Sequence, residues 1–164
     1  LKRVDNDLKP KVIQCDIHGA NGLAFSADQR WMYTSDTPNA VIYRTPLDEQ
    51  GEPGRREVFR RFQPGEGIPD GAAIDVEGCY WSAMFDGWRI ARFSPQGEEL
   101  ETYPMPVRCP TMVCFGGADM KTLYITTTRE NMEDDELAKY PLSGAIFTLP
   151  VAVAGMKKLP FRER

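Results

Sequence analysis

Histidine is nearly missing from this chain: His18 is the only one among 164 residues. The four cysteines, Cys15, Cys79, Cys109 and Cys114, stand at no zinc-ligand spacing. Together these two facts exclude the common structural zinc sites and leave oxygen-bearing side chains as candidate ligands. The thiols read as small buried hydrophobes in a reducing compartment, with a disulfide still open. No apolar run approaches the roughly 20 residues of a membrane-spanning helix. The longest apolar stretch near the C-terminus, Ala145 to Ala154, is interrupted by Thr148 and Pro150. An excess of basic charge is missing too. Twenty Lys and Arg stand against 24 Asp and Glu, and the net charge of −4 argues against a nucleic-acid footprint. No signal-peptide pattern follows Leu1-Lys2-Arg3-Val4-Asp5. The expectation is a cytoplasmic protein with neither a nucleic-acid nor a membrane partner. The chain also starts without Met, so it is expected to begin within a longer protein.

Helical periodicity is the last absence, and strands fill its place. Hydrophobic residues at 41% and charged residues at 27% fit a folded globular protein. Short runs rich in Val, Ile, Tyr, Phe and Trp alternate with turns of Gly, Pro, Asp and Asn. Expected strands are 11–15, 23–25, 31–35, 41–46, 56–62, 72–75, 80–84, 89–94, 98–104, 112–115, 122–126 and 145–149. Turns at Ser26–Arg30, Val76–Gly78 and Pro95–Glu98 join some of them, with Gly78 and Gly97 suited to positive φ. The acidic segment Glu130 to Glu136 reads as a solvated loop with room for one helical turn.

Three segments open alike: Asn21-Gly22-Leu23-Ala24-Phe25-Ser26, Asp70-Gly71-Ala72-Ala73-Ile74-Asp75 and Thr111-Met112-Val113-Cys114-Phe115-Gly116. Each is followed by an aromatic-rich strand: Trp31-Met32-Tyr33-Thr34, Cys79-Tyr80-Trp81-Ser82 and Thr122-Leu123-Tyr124-Ile125. A period of about 40–50 residues with four strands per unit is the signature of a β-propeller blade. Arg55 to Arg60 and Glu98 to Tyr103 are polar enough to be outer edge strands. The expected fold class is all-β, a β-propeller, with three to four blades here. In that architecture equivalent positions of successive blades meet around one channel, so Asn21 and Asp70 are expected to approach each other.

These segments carry a resemblance. Asn21 to Ser26, Gly65-Glu66-Gly67-Ile68-Pro69-Asp70-Gly71, Cys114-Phe115-Gly116-Gly117 and Gly144-Ala145-Ile146-Phe147 occur in an order that resembles the gluconolactonase/regucalcin family, also called the senescence marker protein family. The resemblance runs over residues 1–164 and implies the C-terminal part of a single six-bladed propeller domain. It implies hydrolysis of a small sugar lactone. It also implies one divalent metal ion held by a Glu, an Asn and an Asp. Asn21 matches the Asn, and Asp70, in Pro-Asp-Gly, matches the Asp. The Glu has no counterpart after Leu1. Ala20 departs from the family's usual Pro or Ser before the Asn.

The residue chemistry is compatible with this. A carboxylate and a carboxamide oxygen are hard ligands, which puts Ca²⁺ first and leaves Mg²⁺, Mn²⁺ and Zn²⁺ as alternatives. Lactone hydrolysis needs a polarised carbonyl and an activated water, and a carboxylate can take the water's proton. Asp70 is therefore both a metal ligand and the candidate catalytic base, two roles that compete because a metal-bound carboxylate is a weaker base. Taken alone, Asn or Asp before Gly is a turn residue. The shared register and the resemblance favour a site. Asp75 reads as a strand-end residue and His18 as a loop histidine. Trp31, Tyr33, Tyr80 and Trp81 read as packing between blades. The alternative function is a non-catalytic metal- or ligand-binding propeller. With only three inner strands and two ligands, the chain by itself is expected to be marginal in stability and inactive as a lactonase.

Overall fold

The structure, a computed structural model, describes residues 1–5 and 7–157. Short β1 (Lys2–Val4) and β2 (Pro10–Val12) pair with each other alone. A four-stranded antiparallel meander follows: β3 (Ala20–Phe25), β4 (Trp31–Asp36), β5 (Val41–Pro46) and β6 (Glu57–Arg61). A second repeats it with β7 (Ile68–Ile74), β8 (Tyr80–Phe85), β9 (Arg89–Phe93) and β10 (Glu99–Pro104). The third sheet has three strands, β11 (Pro110–Gly116), β12 (Thr122–Thr127) and β13 (Ile146–Pro150), with helix α1 (Asp134–Lys139) between the last two. The first strands of the three sheets, β3, β7 and β11, lie next to one another, as inner strands of propeller blades do. The last strands of the four-stranded sheets, β6 and β10, are largely exposed edges.

β8 shows how the sequence builds this stack. Side chains of a strand alternate between its two faces. Tyr80 and Met84 enter a core shared with Tyr33, Ile42, Phe59 and Phe62 of the first blade. Trp81 and Ala83 enter a second core with Val113, Phe115, Leu123 and Ile125 of the third blade. Both faces are covered, so β8 is buried through Met84 and reads as a nearly continuous apolar run. Trp81 stacks on Tyr103 at 5.3 Å and meets Phe115 edge-on at 5.5 Å. Each such large side chain contributes on the order of 1.5–3 kcal/mol by leaving water.

Several expectations need amendment. The strand expected over 11–15 is confined to Pro10–Val12, because its partner, the unanticipated β1, is only three residues long. The acidic segment forms a helix that extends past Glu136 to Lys139. Cys114 is exposed rather than buried, since alternation along β11 turns it away from the core that takes Val113 and Phe115. All four thiols are free. Met84 is fully buried between blades. Among the described residues no helix is long and apolar enough to cross a membrane.

Candidate metal centre

Each inner strand breaks its ladder at the same place. Register shifts fall between Asn21 and Ala24 on β3, between Pro69 and Ala72 on β7, and between Pro110 and Met112 on β11. A bulge leaves a residue unpaired and re-aims its side chain, which is why bulges gather beside functional sites. Asp70 and Thr111 lie inside their shifts, whereas Asn21, still paired with Ser35, stands at the edge of its own. In the third blade the position holds only a hydroxyl, and Thr111 Oγ1 is already paired with Thr126 Oγ1 at 2.8 Å.

The residue after each candidate ligand is glycine for a steric reason. A Cβ on Gly22, whose φ is +56°, would lie 2.2 Å from Tyr80 Oη and 2.5 Å from Ser35 Oγ. A Cβ on Gly71 would lie 2.2 Å from Met112 Sδ and 2.7 Å from the Thr111 carbonyl oxygen. Only a residue without a side chain lets adjacent inner strands come this close.

Side chains then bolt the first two blades together around the site. Ser35 Oγ donates to the Asp70 carbonyl at 3.1 Å, and Thr37 Oγ1 donates to the Pro69 carbonyl at 2.8 Å. Asn21 Nδ2 donates to Thr37 Oγ1 at 3.3 Å. The structure thus brings Asn21 and Asp70 together across two blades. Burial pushes the Asp70 carboxyl up to about 6, a hydrogen bond from the Asn21 side chain draws it partly back, and the negative charge of Glu130 adds to the rise. Among the described residues every group acting on this half-buried carboxyl is neutral or anionic. An acid without a cationic partner, beside a carboxamide, has the chemistry of a cradle for a hard cation. The residues present fit a divalent ion.

Sequence reasoning missed two contributors. Glu130 reaches the site electrostatically from the loop after β12, and its only signal in the sequence was the acidity of that loop. Buried Asp36, at the end of β4, accepts hydrogen bonds from the His18 and Gly19 amides at 3.2 and 3.0 Å and from Asn39 Nδ2 at 2.8 Å. It thereby holds the turn that leads into Asn21. The His18 ring is exposed, 2.9 Å from Asn39 Nδ2 and 3.6 Å from Asp36, and behaves as a loop histidine.

A second acidic group, Asp75, Glu77 and Cys79, gathers at the opposite end of β7. It does not offer a free ligand set. Asp75 Oδ1 accepts from the Glu77 and Cys79 amides at 2.9 Å each, and Oδ2 accepts from Trp81 Nε1 and Arg92 Nε at 2.8 Å each. The Arg92 guanidinium already supplies the positive charge, reaching Glu77 at 2.6 Å as well. Asp75 is thus a strand-end residue that organises a turn, in line with the sequence reading.

Comparison with known proteins adds an independent line. Residues 1–129 match the family model described as SMP-30/Gluconolactonase/LRE-like region. The chain is 54% identical over 156 residues to a 6-deoxy-6-sulfogluconolactonase of Pseudomonas putida, covering 94% of this chain and 54% of that protein. It is 40% identical over 147 residues to the regucalcin of Danio rerio, covering 88% of this chain and 49% of the relative. The crystal structure of a calcium-binding protein, regucalcin, from Agrobacterium tumefaciens superposes with a TM-score of 0.89 at 31% identity, over 94% of this chain and 53% of that one. A luciferin-regenerating enzyme superposes with a TM-score of 0.85 at 30% identity, over 94% of this chain and 52% of the other. This chain therefore spans about half the length of the relatives it matches.

Proposed function

The chain belongs to the SMP-30/gluconolactonase/LRE-like family, and from that premise we propose that it carries part of the active site of a metal-dependent hydrolase of small sugar lactones. In this reading residues 1–164 are the C-terminal part of one propeller domain. Asn21 and Asp70 hold one divalent ion, Ca²⁺ before Mg²⁺, Mn²⁺ or Zn²⁺. The observation that carries the reading is the approach of the Asn21 and Asp70 side chains beside the register shifts of two adjacent inner strands. A relative named as a sugar lactonase at 54% identity supports the substrate class.

A bound divalent ion supplies polarisation of the lactone carbonyl and a water of lowered pKa. The chain's own residues do the rest of what is assigned here. Asn21 contributes a neutral oxygen, and Asp70 contributes charge. Water adds to the lactone carbonyl carbon, the ring C–O bond breaks, and the ring oxygen takes up a proton to leave a hydroxy acid. Asp70 is the carboxylate placed to receive the water's proton. A carboxyl poised near 6 suits that task at neutral pH. Holding an ion lowers its basicity, so the ligand role ranks above the base role.

The test is hydrolysis of gluconolactone, followed by acid release, in the longer parent protein, in its Asp70→Ala variant and in parent protein stripped by a chelator. Turnover is expected to vanish in the last two and to return to the stripped protein on adding Ca²⁺. Turnover that survives exhaustive chelation, or persists in Asp70→Ala, overturns the reading. Retained Ca²⁺ binding without turnover would mark a binding propeller instead.

A further inference from the structure

Thr37 stands between the two candidate ligands and touches both strands that carry them. Its hydroxyl has one proton, and that proton goes to the Pro69 carbonyl at 2.8 Å, because a carbonyl can only accept. What remains on the oxygen is lone pairs, which can face an amide N–H but not an amide C=O. Asn21 accordingly turns its Nδ2 to Thr37 at 3.3 Å. Without such a constraint a carboxamide can exchange its two ends at almost no steric cost. Thr37 holds Nδ2, the Asp70 carboxyl accepts from the same side chain, and Oδ1 accepts no hydrogen bond among the described residues.

The turn that carries Thr37 is itself firmly held. The Thr37 amide donates to the Gly19 carbonyl at 3.1 Å, and the Ala40 amide returns to the Thr37 carbonyl at 3.0 Å. Pro38 packs so closely on Gly19 that a Cβ there would sit 2.5 Å from Pro38 Cδ. The hydroxyl is thus fixed relative to both β3 and β7 before any ion arrives.

We propose that Thr37 is a positioning residue for this site. It fixes the Asn21 carboxamide so that Oδ1 is the atom left for a hard cation, and through Pro69 it keeps the Asp70 strand in step. This rests on the reading of Asn21 and Asp70 as ligands.

The experiment uses the protein with Ca²⁺ alone as probe, by calorimetric titration, in Thr37→Val, Thr37→Ala, Thr37→Ser and Asp70→Ala. The dissociation constant is expected to rise about five- to tenfold in the valine and alanine variants, the size of one net hydrogen bond. In Thr37→Ser, which keeps the hydroxyl, it is expected to return to within about twofold of the native value. Because Thr37 acts through Asn21, adding Thr37→Val to Asn21→Ala should weaken binding no further. A second readout needs no ion: the Asn21 side-chain amide gives a resolved, slowly exchanging proton pair by NMR in the native protein and loses that protection in Thr37→Val. Native affinity in Thr37→Val and Thr37→Ala overturns the proposal, as does a Thr37→Ser protein as weak as Thr37→Val. Equal Ca²⁺ binding by the native protein and Asp70→Ala removes the metal reading, and the proposal with it. A loss in Asp70→Ala without one in the Thr37 variants leaves the metal reading standing and rejects Thr37 alone.

Discussion

The Tyr80 hydroxyl donates to the Gly22 carbonyl at 2.8 Å, joining positions 58 apart in the sequence. Tyr80 belongs to β8 of the second blade and Gly22 follows Asn21 on β3 of the first. Burial raises the phenol's pKa, so it stays a neutral donor. The contact links the core between two blades directly to the backbone that presents a candidate ligand. It also explains the glycine, since any Cβ at that position would collide with the same hydroxyl.

Tyr80→Phe keeps the ring and removes the donor, leaving the Gly22 carbonyl without its partner in a buried place. Equilibrium unfolding in urea is expected to show a loss of about 1–3 kcal/mol, the cost of a buried group left unsatisfied. Unchanged stability would mean that water replaces the hydroxyl.

Gly71→Ala should destabilise by about 1–3 kcal/mol through overpacking between β7 and β11. Met112 Sδ can swing away from the new Cβ, but the Thr111 carbonyl at 2.7 Å is backbone and cannot. Adding Met112→Ala is therefore not expected to restore the melting temperature. Full rescue by that second change would show that the sulfur was the sole obstacle.

Asp75→Ala should be costly, on the order of 3–5 kcal/mol, because it leaves the buried Arg92 guanidinium without its one buried carboxylate, Glu77 and Glu101 being exposed. Replacing Arg92 by Leu in the same chain should recover part of that loss, since the two residues form one unit. Glu77→Gln is expected to leave Ca²⁺ affinity unchanged by titration. A clear loss of affinity would make the Asp75, Glu77 and Cys79 group a metal site after all.

Asp36 gives the protein an acid limit. Burial raises its carboxyl, but hydrogen bonds from the Asn39 side chain and the Gly19 and His18 amides outweigh that, and the net value falls below the ordinary 3.8. A depressed folded-state pKa means that the charged form is favoured in the fold. The stabilisation is present above the unfolded value of about 3.9 and is lost as pH falls through the folded one. Asp36→Asn should be less stable than the native protein at pH 6, with the gap closing below about pH 4. Denaturation midpoints across pH 2–7 decide this, and a gap that stays constant with pH contradicts it.

Much of the architecture was legible because it is local. Strand periodicity, the aromatic second strands and the turn glycines depend on near neighbours, and so the meanders could be read from alternation alone. The repeated openings at Asn21, Asp70 and Thr111 were legible as well, because register repeats with the blade. The short β1, the extent of α1 and the exposure of Cys114 were not, since each depends on what packs against it.

The amino-acid sequence by itself determined the blade repeat and the identity of the two candidate oxygen ligands at equivalent positions. Tertiary structure alone decided how they are presented. Thr37 meets Pro69 across 32 positions and Tyr80 meets Gly22 across 58. No local propensity selects such partners. Burial, too, exists only after packing. The same carboxyl that would titrate near 3.8 in an open chain is pushed to about 6 between two blades, because the fold removes its water and the described residues supply no cation.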